Sequence, residues 1–166
     1  MFTVISILLV IFFLLMNAFF VIAEFALVRV RKSQIELAVE EKKPGARAAK
    51  RIAENINAYL SACQLGITLA SLAIGWLGEP AVSAVLEKPL LALGLPESTV
   101  YPVCVGVGFF IVTTLHVVVG ELIPKSFAIF STEKYALATA GPLALFYKIT
   151  YPFMWLFNGI TNLVVR

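Results

Sequence analysis

Long apolar runs alternate with short polar segments along this chain. Four stretches carry few charges: residues 4–28, 59–78, 101–123 and 135–165. Each reaches or exceeds the roughly 20 residues that an α-helix needs to cross about 30 Å of hydrocarbon. The pattern therefore predicts an all-α integral membrane protein, with spanning helices at about 4–28, 58–78 and 101–123.

The composition supports this class. Hydrophobic residues make up 60% of the 166 positions and charged residues 14%, with a mean hydropathy of +0.93. A soluble domain of this size has about a quarter of its residues charged. The first apolar stretch is a poor signal peptide, because no basic segment precedes it and the run is too long.

The basic residues predict the orientation. Eight of the thirteen Lys and Arg lie between Arg29 and Arg51. Cytoplasmic loops are enriched in basic residues, so this segment is expected inside, with the N-terminus outside and the C-terminus cytoplasmic. Residues 33–57 then form cytoplasmic juxtamembrane helices, with a turn at Lys43-Pro44-Gly45. A nucleic-acid patch is the weaker reading of these charges beside a membrane span.

The fourth apolar stretch, 135–165, contains Pro142 and Pro152. A proline inside a helix removes a hydrogen bond and kinks or ends the helix. We therefore expect two interfacial helices over 135–165 rather than one straight span, although hydropathy alone also allows a fourth crossing.

Polar residues follow one face of the second predicted span at spacings of 3, 4, 3, 4 and 3. They are Ser61, Gln64, Thr68, Ser71, Gly75 and Gly78. Small and hydroxyl residues also serve close helix packing, whereas two oxygens aimed the same way, on Gln64 and Thr68, need polar partners. On the first span Asn17 and Glu24 also share a face, and Glu24 is either functional or an interfacial acid that caps or pairs with a neighbouring charge.

The third span ends in Gly120, Glu121 and, three residues later, Pro124. Because Pro124 has no N–H, the Gly120 carbonyl loses its helical partner, and we expect a free oxygen beside the Glu121 carboxylate. Oxygen donors of this kind suit Mg²⁺, Ca²⁺ or Na⁺. A proton-carrying Glu121 is the main rival. We expect His116 to be a hydrogen-bonded packing residue, and Cys63 and Cys104 to be buried small residues.

Three motifs resemble the transmembrane domain of the cyclin-M/CorC family. They are FFVIAEFALVRVRKSQI at 19–35, LSACQLGITLASLAIGWLGEP at 60–80 and HVVVGELIPKSFA at 116–128. The resemblance implies Mg²⁺ transport, generally export, with Na⁺ proposed as the coupling ion. It also implies a homodimer of three-span subunits in the cell membrane, with juxtamembrane helices girding the cytoplasmic side.

The resemblance also implies a binding site. The family's acid in Gly-Glu-x-x-Pro corresponds to Glu121, the expected leading ligand, and a polar position of the second span corresponds to Ser71. Ala23 stands where some members have a hydroxyl, which weakens the contribution of the first span. Members continue into nucleotide-binding regulatory domains, and these cytosolic domains are absent from this sequence, so we expect it to be the membrane half of a longer protein.

The leading hypothesis is a Mg²⁺ site formed by Glu121, Ser71 and the Gly120 carbonyl, in a pocket facing the cytoplasm. Asn17, Glu24, Gln64 and Thr68 are expected to complete or support it. A membrane anchor or sensor module that dimerises cytosolic domains is an alternative, as is a proton-coupled carrier of another solute. No nucleophile–base pair and no phosphate-binding glycine loop occurs in the sequence, so we do not expect an enzyme.

Overall fold

The computed structural model describes the backbone of residues 2–94 and 96–164, and the side chains of residues 3–94, 96 and 98–156. Its elements are all helical. In chain order they are α1 (Phe2–Arg29), α2 (Lys32–Glu40), α3 (Ala46–Glu54), α4 (Ile56–Ala92), α5 (Glu97–Leu115), a π-helical segment (His116–Leu122), α6 (Ile123–Phe130) and α7 (Thr132–Val164). The predicted all-α class is confirmed for the part of the chain described. Val165, which ends the fourth apolar stretch, and Arg166 lie outside the described part.

Three stretches of helix in the described residues are long and apolar enough to cross a membrane: Thr3–Arg29, Ile56–Ala92 and Ser98–Phe130. Large apolar side chains on them face outward, as lipid requires. Trp76 is 80% exposed, Phe110 71% and Leu72 67%. The prediction of three membrane-spanning helices is confirmed on these grounds.

The chain divides into two compact units. The first unit comprises Met1–Ala18 and Ile67–Pro124, and the second comprises Phe19–Gly66 and Lys125–Arg166. The helices α1 and α4 contribute residues to both.

Small residues allow close helix packing in the first unit. Ala70 and Cys104 are buried, and a Cβ added at Gly78 would lie 2.7 Å from a methyl group of Val112. Gly78 thus has the packing role that small residues often have in membrane helices. Gly75, three residues earlier, meets nothing within 4 Å. The glycines of the predicted polar face therefore have different surroundings.

The second unit is organised around α3 and α7. Ala46, Ala49 and Ile52 are buried along one face of α3, while the opposite face is polar. Gly45 precedes α3 with a φ of +81°, and a Cβ there would overlap with the Leu137 carbonyl oxygen. The turn predicted at Lys43-Pro44-Gly45 therefore brings the chain directly against α7.

Two helices run further than the sequence suggested. We expected the second span to end at about residue 78, but α4 continues to Ala92 with Pro80 and Pro89 inside it. Likewise α7 is one helix through Pro142 and Pro152, where we expected two. A proline removes only one hydrogen bond, and the flanking Ala and Leu residues are strong helix formers whose remaining bonds maintain the helix.

Candidate ion-binding site

The third span widens into a π-helical segment at His116–Leu122, immediately before Pro124. Pro124 cannot donate to the Gly120 carbonyl in the ordinary α pattern. The backbone adjusts by shifting to bonds one residue longer, and the Ile123 N–H accordingly donates to the Val118 carbonyl. Such segments are rare and frequently occur at functional sites. The sequence located this irregularity correctly, and the structure shows the form that it takes.

Gly120 lets another side chain approach the π-helical segment. It is buried, and an added Cβ would lie 3.0 Å from the Asn17 amide nitrogen and 3.0 Å from the His116 ring. The amide Nδ2 of Asn17 donates a hydrogen bond of 3.0 Å to the Gly120 carbonyl oxygen. The expectation that this oxygen is free is therefore wrong, because the fully buried Asn17 side chain occupies it.

The hydrogen bonds continue from Asn17 through Ser71 to His116. The Ser71 hydroxyl donates to the Asn17 Oδ1 at 3.3 Å, and its oxygen lies 3.2 Å from the His116 Nε2. The direction is fixed by chemistry. A carbonyl oxygen only accepts, so the Asn17 N–H must face Gly120 and its Oδ1 must accept from Ser71. Ser71 has one hydrogen, already donated, so the His116 Nε2 must carry the proton that it shares with Ser71.

This polar chain of His116, Ser71, Asn17 and Gly120 links three spans within the first unit. Every one of its bonds joins groups more than 40 residues apart. Buried polar groups in an apolar environment require partners, and here each group satisfies the next. His116 has the hydrogen-bonded role that we expected for it.

Glu121 directly follows the Gly120 carbonyl in the same segment and is half-buried. It takes part in at least one interaction. Thr68 also belongs to the first unit, and its side chain is exposed. Five of the seven predicted site residues therefore belong to one unit: Asn17, Thr68, Ser71, Gly120 and Glu121.

The other two predicted residues, Glu24 and Gln64, belong to the second unit and pair with each other. The Gln64 side chain hydrogen-bonds to the Glu24 carboxylate, and the Lys125 ammonium attracts the same carboxylate. Lys125 also lies 5.2 Å from the centre of the Phe25 ring, a cation–π distance. Glu24 thus has an amide partner and a nearby cation within the second unit. Ala23, beside it, is fully buried.

Across the described residues, no three His, Cys, Asp or Glu side chains cluster in a way that could hold a metal ion. Cys63 and Cys104 are buried, free thiols, as predicted. The polar groups at the π-helical segment are the Gly120 carbonyl, the Asn17 amide, the Ser71 hydroxyl, the His116 ring and the Glu121 carboxylate. Such a donor set suits a hard ion better than zinc or copper.

One polar feature of the first unit was missed by sequence reasoning. A cavity of about 530 Å³ is lined by residues of α4 and α5 that include Glu79, Ser83 and Glu87. The Ser83 hydroxyl donates to the Glu79 carboxylate at 2.7 Å. Spacings of four residues from Glu79 to Ser83 and from Ser83 to Glu87 indicate one helix face, but the predicted span ended at Gly78, before all three.

Comparison with known proteins identifies the family. A family model described as the Cyclin M transmembrane N-terminal domain matches residues 8–166. The chain is 47% identical over 149 residues to UPF0053 protein YhdT of Bacillus subtilis, covering 90% of this chain and 32% of that relative. It is 34% identical over 150 residues to the uncharacterized protein MT1889 of Mycobacterium tuberculosis, covering 90% and 42% respectively.

These relatives are much longer than the sequence described here. The chain spans about a third of UPF0053 protein YhdT and of UPF0053 protein YugS of Bacillus subtilis, the latter also 47% identical over 150 residues and 90% of this chain. The matched region nevertheless includes all three spans, the π-helical segment and the polar chain. With its three motifs in order and a match over nearly its whole length, the chain belongs to the cyclin M transmembrane domain family.

Proposed function

We propose that this chain forms the membrane part of a magnesium transporter that exports Mg²⁺, with Na⁺ as the candidate coupling ion. One observation carries the proposal. The Gly120 carbonyl, the Asn17 amide and the Ser71 hydroxyl are drawn together by hydrogen bonds, and the Glu121 carboxylate follows Gly120 directly. Membership of the cyclin M family supports metal-ion transport as the broader activity.

The donors suit the ion. Mg²⁺ prefers oxygen ligands in octahedral geometry and usually retains some of its waters. A carbonyl, an amide oxygen, a hydroxyl and one carboxylate supply hard oxygens with a single formal negative charge. In the low dielectric of a membrane interior, that carboxylate attracts a cation strongly. Thr68 is proposed as a supporting hydroxyl within the first unit.

When no cation is bound, the Asn17 side chain supplies hydrogen-bond partners to the Gly120 carbonyl and the Ser71 hydroxyl of the proposed site. Its N–H occupies the Gly120 oxygen, so an incoming cation must displace this hydrogen bond. A half-turn of the Asn17 amide about χ2 exchanges Nδ2 for Oδ1. The Asn17 Oδ1 and the Gly120 carbonyl oxygen then face the same point. Ser71 can accept from the rotated amide and donate to the His116 Nε2, provided that the imidazole proton has moved from Nε2 to Nδ1. The four groups thus support two arrangements: one closed by hydrogen bonds alone, and one in which the Gly120 and Asn17 oxygens turn towards a cation that takes the place of the lost hydrogen bond.

Orientation and assembly remain part of the proposal. The concentration of basic residues between α1 and α4 supports a cytoplasmic location for that segment. A homodimer and regulation by nucleotide-binding domains follow from the family resemblance. The greater length of the relatives agrees with further domains in the whole protein.

Ion flux through reconstituted vesicles tests the proposal. We expect a saturable Mg²⁺ flux from the wild-type chain that Glu121→Gln abolishes. The matched control is Glu87→Gln, which neutralises an exposed acid of α4 and should leave the flux unchanged. A pH-dependent flux that does not respond to Mg²⁺ would instead identify a proton-coupled carrier.

A second candidate is a membrane anchor that dimerises cytosolic domains. The length of the relatives favours this anchor function, because roughly two thirds of each relative lies outside the matched region. A folded wild-type protein that conducts no ion under any gradient would support this function.

A further inference from the structure

We propose that the outward face of α3 binds the anionic headgroups of membrane lipids. This nine-residue helix carries three exposed cations at positions i, i+3 and i+4, which share one helix face: Arg47, Lys50 and Arg51. The opposite face is buried. Within the described part of the chain, none of the three cations has an ion-pair or hydrogen-bond partner, so three positive charges occupy one face that also carries a single exposed acid, Glu54.

Contacts with α7 fix the position of this basic face. Lys43 lies 2.8 Å from Glu133, the Gly45 backbone lies against Leu137, and the Tyr59 ring is 4.5 Å from the Tyr147 ring. The chain from residue 43 to residue 59 therefore runs beside α7 from residue 133 to residue 147, in the same direction. The helix α3 lies within this run.

A cluster of tyrosines marks the membrane interface at the end of that run. Tyr59 lies in the first turn of the α4 span, and Tyr147 contacts both Tyr59 and Tyr151, with ring centres 4.5 and 5.9 Å apart. Tyrosine is enriched where the hydrocarbon meets the headgroups. Since α3 ends at Glu54, five residues before Tyr59, its basic side chains are placed at headgroup depth.

Around the tyrosine cluster and after it, one exposed face of α7 is apolar, with Lys148 exposed beside it. Leu145, Ile149, Phe153 and Leu156 are between 49% and 65% exposed and follow one another at spacings of four, four and three. That spacing defines a single helix face suited to acyl chains. An apolar face next to a basic face is the arrangement with which interfacial helices bind anionic membranes.

Lipid phosphate is the occupant that this position favours. The basic face adjoins a membrane-spanning helix, where anionic headgroups are always present at high local concentration. Each Lys or Arg held near an anionic membrane surface strengthens binding about fivefold. Three together correspond to on the order of a hundredfold preference for anionic over zwitterionic lipid.

The test is thermal unfolding of the purified chain in mixed micelles, as phosphatidylglycerol is titrated against phosphatidylcholine with the same acyl chains. We expect saturable stabilisation by phosphatidylglycerol and none by inorganic phosphate. The triple variant R47Q/K50Q/R51Q should need on the order of a hundredfold more phosphatidylglycerol for the same shift, or show no shift. If that variant does not fold, each single Gln substitution should raise the requirement about fivefold.

Two controls separate a site from general charge. K42Q/K88Q/K134Q removes the same charge from exposed lysines elsewhere and should respond as the wild type does. R47K/K50R/R51K keeps the charges and should also respond normally. The proposal is overturned if the α3 variants and the wild type respond alike, or if the lysine control loses the response equally. It is also overturned if inorganic phosphate stabilises as well as the lipid does, since the face would then bind any soluble anion.

Discussion

The two units of this protein use polar groups in opposite ways. In the first unit, Asn17, Ser71 and His116 form a polar chain that ends on a backbone carbonyl, and each bond determines the direction of the next. In the second unit, Lys43 bridges Glu41 and Glu133 at an exposed position, where water can replace either partner. Polar groups within an apolar environment must be satisfied together, whereas exposed ones can be lost singly at small cost.

The two glycines with φ near +81° extend this comparison to the backbone. Gly45 of the second unit lies against the Leu137 carbonyl, whereas Gly94 of the first unit meets nothing within 4 Å. The left-handed backbone conformation favours glycine at both positions. Only at Gly45 does close packing against α7 also exclude a side chain.

The largest expected effect separates these two glycines. Gly45→Ala should destabilise by more than about 3 kcal/mol, because the new methyl group cannot fit against the α7 backbone. Gly94→Ala should cost only the left-handed backbone strain of about 1–2 kcal/mol. Equilibrium unfolding in detergent measures both. Equal losses in the two variants would show that Gly45 is required only for its backbone angle.

The next largest effect concerns the polar chain. Asn17→Leu keeps the approximate volume but removes both hydrogen bonds, so the buried Gly120 carbonyl loses a partner and Ser71 loses its acceptor. We expect a loss of about 2–3 kcal/mol in the free energy of unfolding.

Thr68→Val is the matched control for Asn17→Leu. It changes an exposed hydroxyl of the same unit and should alter the free energy of unfolding by less than about 0.5 kcal/mol. An Asn17→Leu protein as stable as the control would mean that the polar chain contributes little to folding.

The smallest effect belongs to the exposed pairs of the second unit. The hydrogen bonds that the Lys43 ammonium donates to the carboxylates of Glu133 and Glu41 raise the pKa of Lys43 above its ordinary value of 10.5. A raised lysine pKa means that the stabilisation is complete below about pH 10.5 and is lost as the pH rises through the higher folded-state value. Lys43→Gln should therefore lower the melting temperature slightly at pH 7, and the difference should shrink at strongly alkaline pH.

Salt provides a second check on Lys43. Exposed ion pairs are screened by salt, so the difference between Lys43→Gln and the wild type should also shrink as sodium chloride is raised. A difference that is independent of both pH and salt would point to packing of the lysine stem rather than to charge.

Features set by local sequence were predictable. Apolar length gave the three spans, Lys43-Pro44-Gly45 gave the turn before α3, and Pro124 located the irregular backbone around Gly120. Each depends on residues close together in the chain, so hydropathy and backbone chemistry are sufficient.

Features set by the register between helices were not predictable. Periodicity places Asn17 and Ser71 each on a polar face, but it does not give the rotation or the axial offset of one helix against another. The hydrogen bond from Asn17 to Gly120 depends on both the rotation and the offset. It occupies the Gly120 carbonyl oxygen, which we expected to be free. The persistence of α4 and α7 through their prolines likewise depends on the whole helix rather than on the proline alone.

Thermal unfolding of the purified chain against Mg²⁺, Ca²⁺ and Na⁺, for the wild type and Glu121→Gln, tests the central claim most directly. A ligand that binds only the folded state raises the melting temperature as its concentration passes its dissociation constant. The account predicts saturable stabilisation of the wild type by Mg²⁺ and none in a folded Glu121→Gln variant. A folded wild type with no response to Mg²⁺, or a variant that responds equally, would contradict a magnesium site at Glu121.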